Sequence, residues 1–220
     1  MSDAIEVVEG KSATIRFDRR LCIHARRCVL SEPGVFKANV EGPWIDPDAA
    51  SPAALMRVAI NCPSGAIRVE RRDGGEQEGA PKVNTIAVRE NGPLAVHAEI
   101  ELNGDRIGVR ATLCRCGQSN NKPYCDGSHV AAGFVASGEP ETTRSQPLAK
   151  RDGPLTIRTR ENGPLKIVGP VEIISGTGRT VHRVEDAALC RCGHSGHKPF
   201  CDGSHARVGF IAPGWKRKDA

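Results

Sequence analysis

Apolar and polar residues alternate over Leu94–Leu102, LAVHAEIEL, a period of two that predicts a half-buried strand. Asn103-Gly104 follows, a dipeptide suited to a tight hairpin turn, and a second strand is expected over Arg106–Leu113. The same layout recurs over Leu165–Ile174 and Thr180–Leu189, across a glycine-rich turn. Neither hairpin carries enough apolar surface to bury both its faces. Two of them packed face to face would make one small β-sandwich with internal pseudo-twofold symmetry. The first 70 residues read differently. Ala13–Phe17 and Ala66–Glu70 are short strand candidates, and Ser51-Pro52 opens a helix with Ser51 as its cap and Pro52 at the first helical position. Leu55, Val58, Ala59 and Cys62 fall at helical spacing, which places the last thiol on the apolar side. The predicted class is α+β.

The hairpins belong to a longer internal repeat. RENGPL at Arg89–Leu94 returns at Arg160–Leu165, and the cysteine run that begins at Cys114 returns at Cys190. The second copy is therefore longer between those landmarks, and SGTGR at Ser175–Arg179 is where the extra residues belong. Each copy closes on a Gly-Phe pair, Gly133-Phe134 and Gly209-Phe210, so each reads as turn, strand, turn, strand, cysteine run and short helix. DGGEQEGAP is polar and glycine-rich and reads as a linker. The expected division is a domain over 1–72, a linker over 73–81, and two repeat units over 82–150 and 151–220. A second linker is expected over Ser137–Gln146.

Composition narrows the classes. Aromatics make up 4% of 220 residues, with 24 glycines and 15 prolines, which suits small loop-rich units that need a staple such as a metal. The net charge is +5, but only Lys216-Arg217-Lys218 forms a basic run, and it reads as a solvated terminus. No basic stripe with interleaved aromatics is present, so nucleic acid is not expected as a partner. The amino terminus lacks the basic start and apolar run of a signal peptide, and no apolar stretch reaches membrane-spanning length, so a cytoplasmic protein without membrane attachment is expected. Thiols stay reduced there. The nine cysteines fall into three sets of three: Cys22, Cys28, Cys62; Cys114, Cys116, Cys125; and Cys190, Cys192, Cys201. Three cofactors explain that grouping better than disulfides do.

Two of the sets sit in matching runs, CRCGQSNNKPYCDGSH at Cys114–His129 and CRCGHSGHKPFCDGSH at Cys190–His205. In each, an extended segment carries the first two cysteines, and a glycine-rich turn returns the third together with a histidine. Asp126 or Ser128 is placed to cap a helix bearing His129, and Gly133 to end it. Three thiolates and an imidazole suit zinc or an iron–sulfur cluster, and ligand type alone leaves the two level. Both runs resemble the signature of the CDGSH iron–sulfur domain family, whose mitoNEET-type members bind a 2Fe–2S cluster. The resemblance implies one cluster on Cys114, Cys116, Cys125 and His129, and another on Cys190, Cys192, Cys201 and His205. It extends over roughly 82–215 and implies a monomer in which two halves build the sandwich that dimers share elsewhere. Arg115, Lys122, Arg191 and Lys198 lie where positive charge would favour a reduced cluster, or where it would be solvated surface. A single-histidine site should have a potential between roughly −400 mV for all-thiolate ferredoxins and the range of two-histidine centres. His97, His182, His194 and His197 fall outside the ligand pattern.

CIHARRC and CPSGA hold Cys22, Cys28 and Cys62. With the flanking elements they resemble the divergent mono-cluster ferredoxin domain over about 12–70, which implies a ferredoxin-like fold. Ala25 stands at the middle cysteine of the C-x2-C-x2-C pattern. Three thiolates fit a 3Fe–4S cluster; a 4Fe–4S cluster needs His24, solvent or another donor at its fourth iron. The remaining alternative is the fold without a cluster. No phosphate loop, dinucleotide fingerprint or nucleophile–base pair lies outside these sites, so no enzyme activity is expected. The candidate functions are multi-cluster electron transfer with a redox partner protein, cluster storage or transfer to an apo-acceptor or redox sensing, and service as one component of a larger oxidoreductase.

Overall fold

A computed structural model describes residues 5–215; the Lys216–Lys218 run lies outside the described residues. The chain forms two compact units, Met1–Gly79 and Ala80–Ala220.

In the amino-terminal unit, β1 (Ile5–Glu9), β2 (Ala13–Asp18) and β3 (Ile67–Arg71) form an antiparallel sheet in that order. Two helices pack with it, α1 (Arg27–Ser31) and α2 (Pro52–Asn61). The start of α2 follows from its sequence: the Ser51 hydroxyl accepts the Ala54 N–H at 3.3 Å, and Pro52 needs no donor there. Its apolar stripe, Leu55, Met56, Val58 and Ala59, packs with Ile15, Phe36 and Ile67 in one core. Cys62 follows the last turn with an extended backbone and joins that core half-buried. β1 is absent from the expectation because it buries no residue; Ile5 and Val7 stay 45% exposed, and main-chain pairing to β2 holds the strand.

The second unit contains β4 (Thr85–Val88), β5 (Leu94–Leu102), β6 (Asp105–Leu113), α3 (Ser128–Ala131), β7 (Pro154–Thr159), β8 (Leu165–Ile174), β9 (Thr180–Leu189) and α4 (Ser204–Arg207). The two expected hairpins are present as β5–β6 and β8–β9. The hairpins are not two separate sheets packed face to face, however: main-chain pairing joins both repeats into one six-stranded sheet around a shared core. β4 runs antiparallel to β5 of its own repeat and parallel to β8 of the other, and β7 runs antiparallel to β8 and parallel to β5. Each repeat thus lends its first strand to the other. Ile86, Leu94, Val96, Ile100, Leu155, Ile157, Leu165, Ile167 and Ile173 fill the shared core. Burying each such side chain stabilises the unit by about 1.5–3 kcal/mol before entropy is counted.

The segment 137–146 has no regular structure but is not a free linker: Thr143 N–H donates to Val181 O at 3.0 Å, and Arg183 N–H to the Ser145 hydroxyl at 3.1 Å, along β9. Among the described residues, no helix is long and apolar enough to cross a membrane.

One buried carboxylate offers a test of this core. The Glu172 side chain on β8 is 5% exposed, bonded by Arg151 and by the Thr180 hydroxyl, each at 2.9 Å. Burial acts to raise its pKa, but the Thr180 hydroxyl and the Arg151 charge outweigh burial and leave it lowered. A lowered folded pKa gives stability above the free carboxylate range that is lost as pH falls through the folded value. Glu172→Gln should therefore cost about 1–3 kcal/mol at neutral pH. The deficit should shrink below about pH 4, where the wild-type carboxylate also protonates. Thermal unfolding between about pH 3 and pH 7 checks both points.

Candidate metal centres

Each CDGSH run leaves a strand end and folds back onto it. Beyond β6, Cys114 N–H donates to Pro123 O at 2.8 Å and Cys125 N–H to Thr112 O at 2.9 Å, so the third cysteine returns beside the first. Beyond β9, Cys190 and Cys201 make the same two bonds to Pro199 and Ala188, at 2.8 and 2.9 Å. Side chains inside the loop tighten it. The Ser119 hydroxyl donates to Tyr124 O at 2.6 Å and accepts the Asn121 N–H at 3.0 Å. Asp126 accepts the Ser128 N–H at 3.0 Å and the Asn120 N–H at 2.8 Å, which draws both ends of the loop onto one carboxylate. Ser195 and Asp202 repeat these parts. α3 begins at Ser128 behind Gly127, with Asp126 holding its first N–H as expected, and Gly133 closes it at φ +58.

The donors converge in pairs. Cys114 Sγ lies 3.8 Å from Cys116 Sγ, and Cys125 Sγ lies 3.4 Å from His129 Nδ1; the second run gives 3.8 Å for Cys190–Cys192 and 3.4 Å for Cys201–His205. Two thiolates at about 2.3 Å from one tetrahedral metal stand about 3.8 Å apart, and a thiolate and an imidazole stand about 3.5 Å apart. Each cradle therefore fits two metal positions, one per pair. Among the described residues, no three Cys, His, Asp or Glu side chains converge on a single ion position.

Electrostatics set the sulfurs of one cradle apart. A hydrogen bond from the Cys116 thiol holds Cys114 down to about 6, and the same bond pushes Cys116 up. Burial pushes Cys125 up to about 11 and lowers His129. Backbone N–H groups of Gln118 and Gly127 point at Cys116 and Cys125, each at 3.4 Å, as His194 and Gly203 do at Cys192 and Cys201. Such donors stabilise negative sulfur.

The two arginines are not solvated surface. Arg115 is 1% exposed; its guanidinium donates to the carbonyls of Gly92, Ser137, Arg89 and Ala136 at 2.6–3.1 Å and lies 5.4 Å from the Phe134 ring centre. Arg191, equally buried, binds the carbonyls of Gly163, Pro213 and Arg160 and lies over Phe210. These clamps tie each RENGPL turn to the segment after its Gly-Phe pair. Burial lowers Arg115 to about 10, with the Cys190 thiol of the other repeat and then Glu90 acting against it, so the group keeps its charge at neutral pH. The lysines turn inward: Lys122 and Lys198 donate to Ser119 O and Ser195 O at 2.5 and 2.6 Å.

The two cradles also touch. Gly117 and Gly193 adopt φ +82 and +86, and a Cβ on either would stand 2.6 Å from Cys192 O or 2.5 Å from Cys116 O. Only glycine fits at either place. Spacing signals the ligands but not this contact, nor the loop-tightening parts of Ser119 and Asp126. His182 serves structure, bonding Thr143 at 2.6 Å and meeting Phe200 edge to face. His194 and His197 contribute backbone N–H groups to their loop.

In the amino-terminal unit, Cys22, Cys28 and Cys62 come from a loop, from α1 and from the end of α2, and all line one cavity of about 700 Å³ with His24 and Ala25. Burial raises Cys22 and Cys28, and repulsion from Cys62 adds to it. His24 holds a left-handed backbone at φ +52, and its N–H faces the Cys22 sulfur.

The arginine clamps are testable apart from any metal. Arg115→Lys replaces a forked donor by a point donor and leaves buried carbonyls without partners, so it should cost about 1–3 kcal/mol in urea unfolding. Lys150→Arg, the reverse exchange in kind at an exposed position, should cost under about 0.5 kcal/mol in the same assay.

Comparison with known proteins agrees with this geometry. Residues 91–130 and 162–206 match a family described as "Iron-binding zinc finger CDGSH type", and residues 8–72 match one described as "Divergent 4Fe-4S mono-cluster". The chain is 30% identical over 63 residues to the uncharacterized protein YjdI of Escherichia coli strain K12, over 29% of this chain and 82% of that protein. The same figures hold for YjdI of Escherichia coli O157:H7. No solved structure matches. Two matching CDGSH cradles behind a three-cysteine unit of the YjdI kind show that the chain belongs to the CDGSH iron–sulfur family, as a tandem member with an amino-terminal divergent 4Fe–4S mono-cluster domain.

Proposed function

We propose that the chain is a cytoplasmic, monomeric electron-transfer protein without catalytic activity of its own, holding two 2Fe–2S clusters and a third cluster of the 3Fe–4S or 4Fe–4S kind. The observation that carries this reading is the pairing of donors at 3.8 and 3.4 Å in both cradles, which offers two metal positions in each. Cys114 and Cys116 would hold one iron, Cys125 and His129 the other; Cys190, Cys192, Cys201 and His205 would do the same in the second site. Cys22, Cys28 and Cys62 would hold the third cluster, with His24 in the same cavity wall. When bound, such clusters supply reversible one-electron storage.

The chain's own part is electrostatic and positional. Buried Arg115 and Arg191, with the N–H groups aimed at sulfur, offset the negative charge that thiolates and an added electron bring. The reciprocal pairing of β4 with β8 and β7 with β5 supports a twofold pseudo-symmetry between the repeats, and so a monomer that needs no second copy. The α2–β3 arrangement around three cysteines supports a ferredoxin-like amino-terminal fold. Nine free cysteines support a reducing compartment.

A second reading, cluster transfer to an apo-acceptor or redox sensing, rests on one observation. His129 and His205 are half-buried, whereas Cys114, Cys116, Cys190 and Cys192 are at most 6% exposed. The histidine side of each cradle is the side that solvent and an acceptor reach.

Metal content and electron paramagnetic resonance on anaerobically purified protein test the main reading. About seven or eight irons per chain are expected, in red-brown protein. Cys62→Ser should remove the signal of the third cluster and leave those of the 2Fe–2S clusters; colourless protein with two zincs would sink the proposal. Loss of colour on reduction–oxidation cycling, with delivery to an apo-ferredoxin, would favour cluster transfer.

His129→Cys addresses the fourth ligand. Potentiometric titration should show one 2Fe–2S midpoint falling toward the all-thiolate range near roughly −400 mV while the other stays put. Unchanged midpoints would remove His129 from the ligand set.

A further inference from the structure

The cavity of the amino-terminal unit has a one-sided charge. Its wall carries Arg26, Arg27 and Lys37 beside the three thiols, and no Asp or Glu. Composition does not explain this, because residues 1–79 hold 11 Lys and Arg against 12 Asp and Glu. Arg26 makes no ion pair among the described residues, and Arg27 reaches only the Asn61 carbonyl, at 3.5 Å. Lys37 is shared with Asp46 at 3.4 Å, so the two arginines dominate. Apolar side chains line the same wall: Val40 stands 44% exposed there, with Ile23 and Val29 beside the cysteines. Phe17 and Trp44 also line the cavity but are half-buried and occupied with each other, meeting edge to face at 4.9 Å. A cationic rim around exposed aliphatic groups is the complement of a protein surface with an apolar centre and an acidic edge. Nucleic acid would use the charge but not the aliphatic groups, and it would want the aromatics exposed.

We propose that the mouth of this cavity is the docking surface of an acidic electron-carrier protein, with Arg26 and Arg27 as its charged contacts and Ile23 and Val40 as its apolar centre. The proposal rests on the reading that the three cysteines hold a cluster, which would sit in the cavity whose mouth the carrier covers. Like-charged carriers would be repelled, so the surface selects partners by sign as well as by shape.

An acidic flavodoxin, labelled with a fluorophore, serves as the probe against the full-length, cluster-loaded chain. Binding is read by anisotropy. The dissociation constant should rise ~10-fold or more between about 20 and about 500 mM sodium chloride, as screening removes the charge contacts. Arg26→Glu should weaken binding ~10-fold, and Arg57→Glu, the same charge change on α2 outside the cavity wall, less than ~2-fold. Arg27→Glu repeats the reversal at an ordinary helical position, so a folding defect at the left-handed backbone of Arg26 does not leave the surface untested. Val40→Asp should weaken binding through both lost apolar contact and repulsion. Equal effects of Arg26→Glu and Arg57→Glu, binding unaffected by salt, no binding at all, or tighter binding of a single-stranded DNA 20-mer than of flavodoxin would each overturn the proposal. Iron content of the Cys62→Ser variant separates the two ideas. Unchanged iron there with binding still sensitive to Arg26→Glu overturns the cluster reading and keeps the docking surface; lost iron with no flavodoxin binding by the parent chain does the reverse.

Discussion

The parallel pairing of β4 with β8 and of β5 with β7 is the constraint on which the carboxy-terminal unit depends. A parallel pair needs a long connection, and here each connection is most of a repeat, cysteine loop included. The first cysteine loop is therefore inside the closure of the sheet, whereas the second follows β9, the last strand. β6 and β9, which launch the two loops, are each fixed to the long strands that take part in the exchange. The cradle geometry inherits its precision from that sheet: two main-chain bonds per loop, from Cys114 and Cys125 or from Cys190 and Cys201, transmit the strand positions to the donors. Sites built on rigid elements hold their ligands at the sub-ångström level that metal bonds require.

A buried guanidinium is expensive to desolvate, and each repeat hides one. The structure meets the expense with carbonyls, supplying Arg115 with four and Arg191 with three, and with an aromatic face for each. Neither arginine needs a carboxylate to stay charged. That matters near a metal site, because a carboxylate partner would cancel the field that the cation sets up at the thiolates. Carbonyl dipoles hold the charge in place without neutralising it.

Sequence pattern reached some of this and missed the rest for identifiable reasons. β5 was legible because its buried positions alternate over most of its length, and β6, β8 and β9 because a hairpin turn and the internal repeat place them beside it or in its image. α2 announced itself through Ser51 and Pro52. β4 is four residues long with Ile86, Ala87 and Val88 all buried, so it has no alternation to detect. β7 begins at a proline and offers only Leu155, Ile157 and Thr159 as buried positions. The pairing between repeats is non-local and leaves no local trace at all. At the sites, the spacing of Cys and His stood out because those side chains do little else in such a pattern. Arg115 and Arg191 did not, since nothing in CRCG distinguishes a clamped arginine from a surface one. The distinction lies in carbonyls contributed by distant turns.

The contact between Gly117 and Gly193 has a consequence for how such a chain can change. Each glycine faces a carbonyl of the other loop at a distance that leaves no room for a methyl group. The two halves are thus bound by a shared wall, and neither is a complete module. A half-length chain carrying one cradle would leave that wall open and its lent strand without a host. It would have to recruit a second copy of itself to rebuild both. Duplication and fusion, read through this contact, turn an association between molecules into a covalent certainty, after which the two loops are free to diverge everywhere except where they meet.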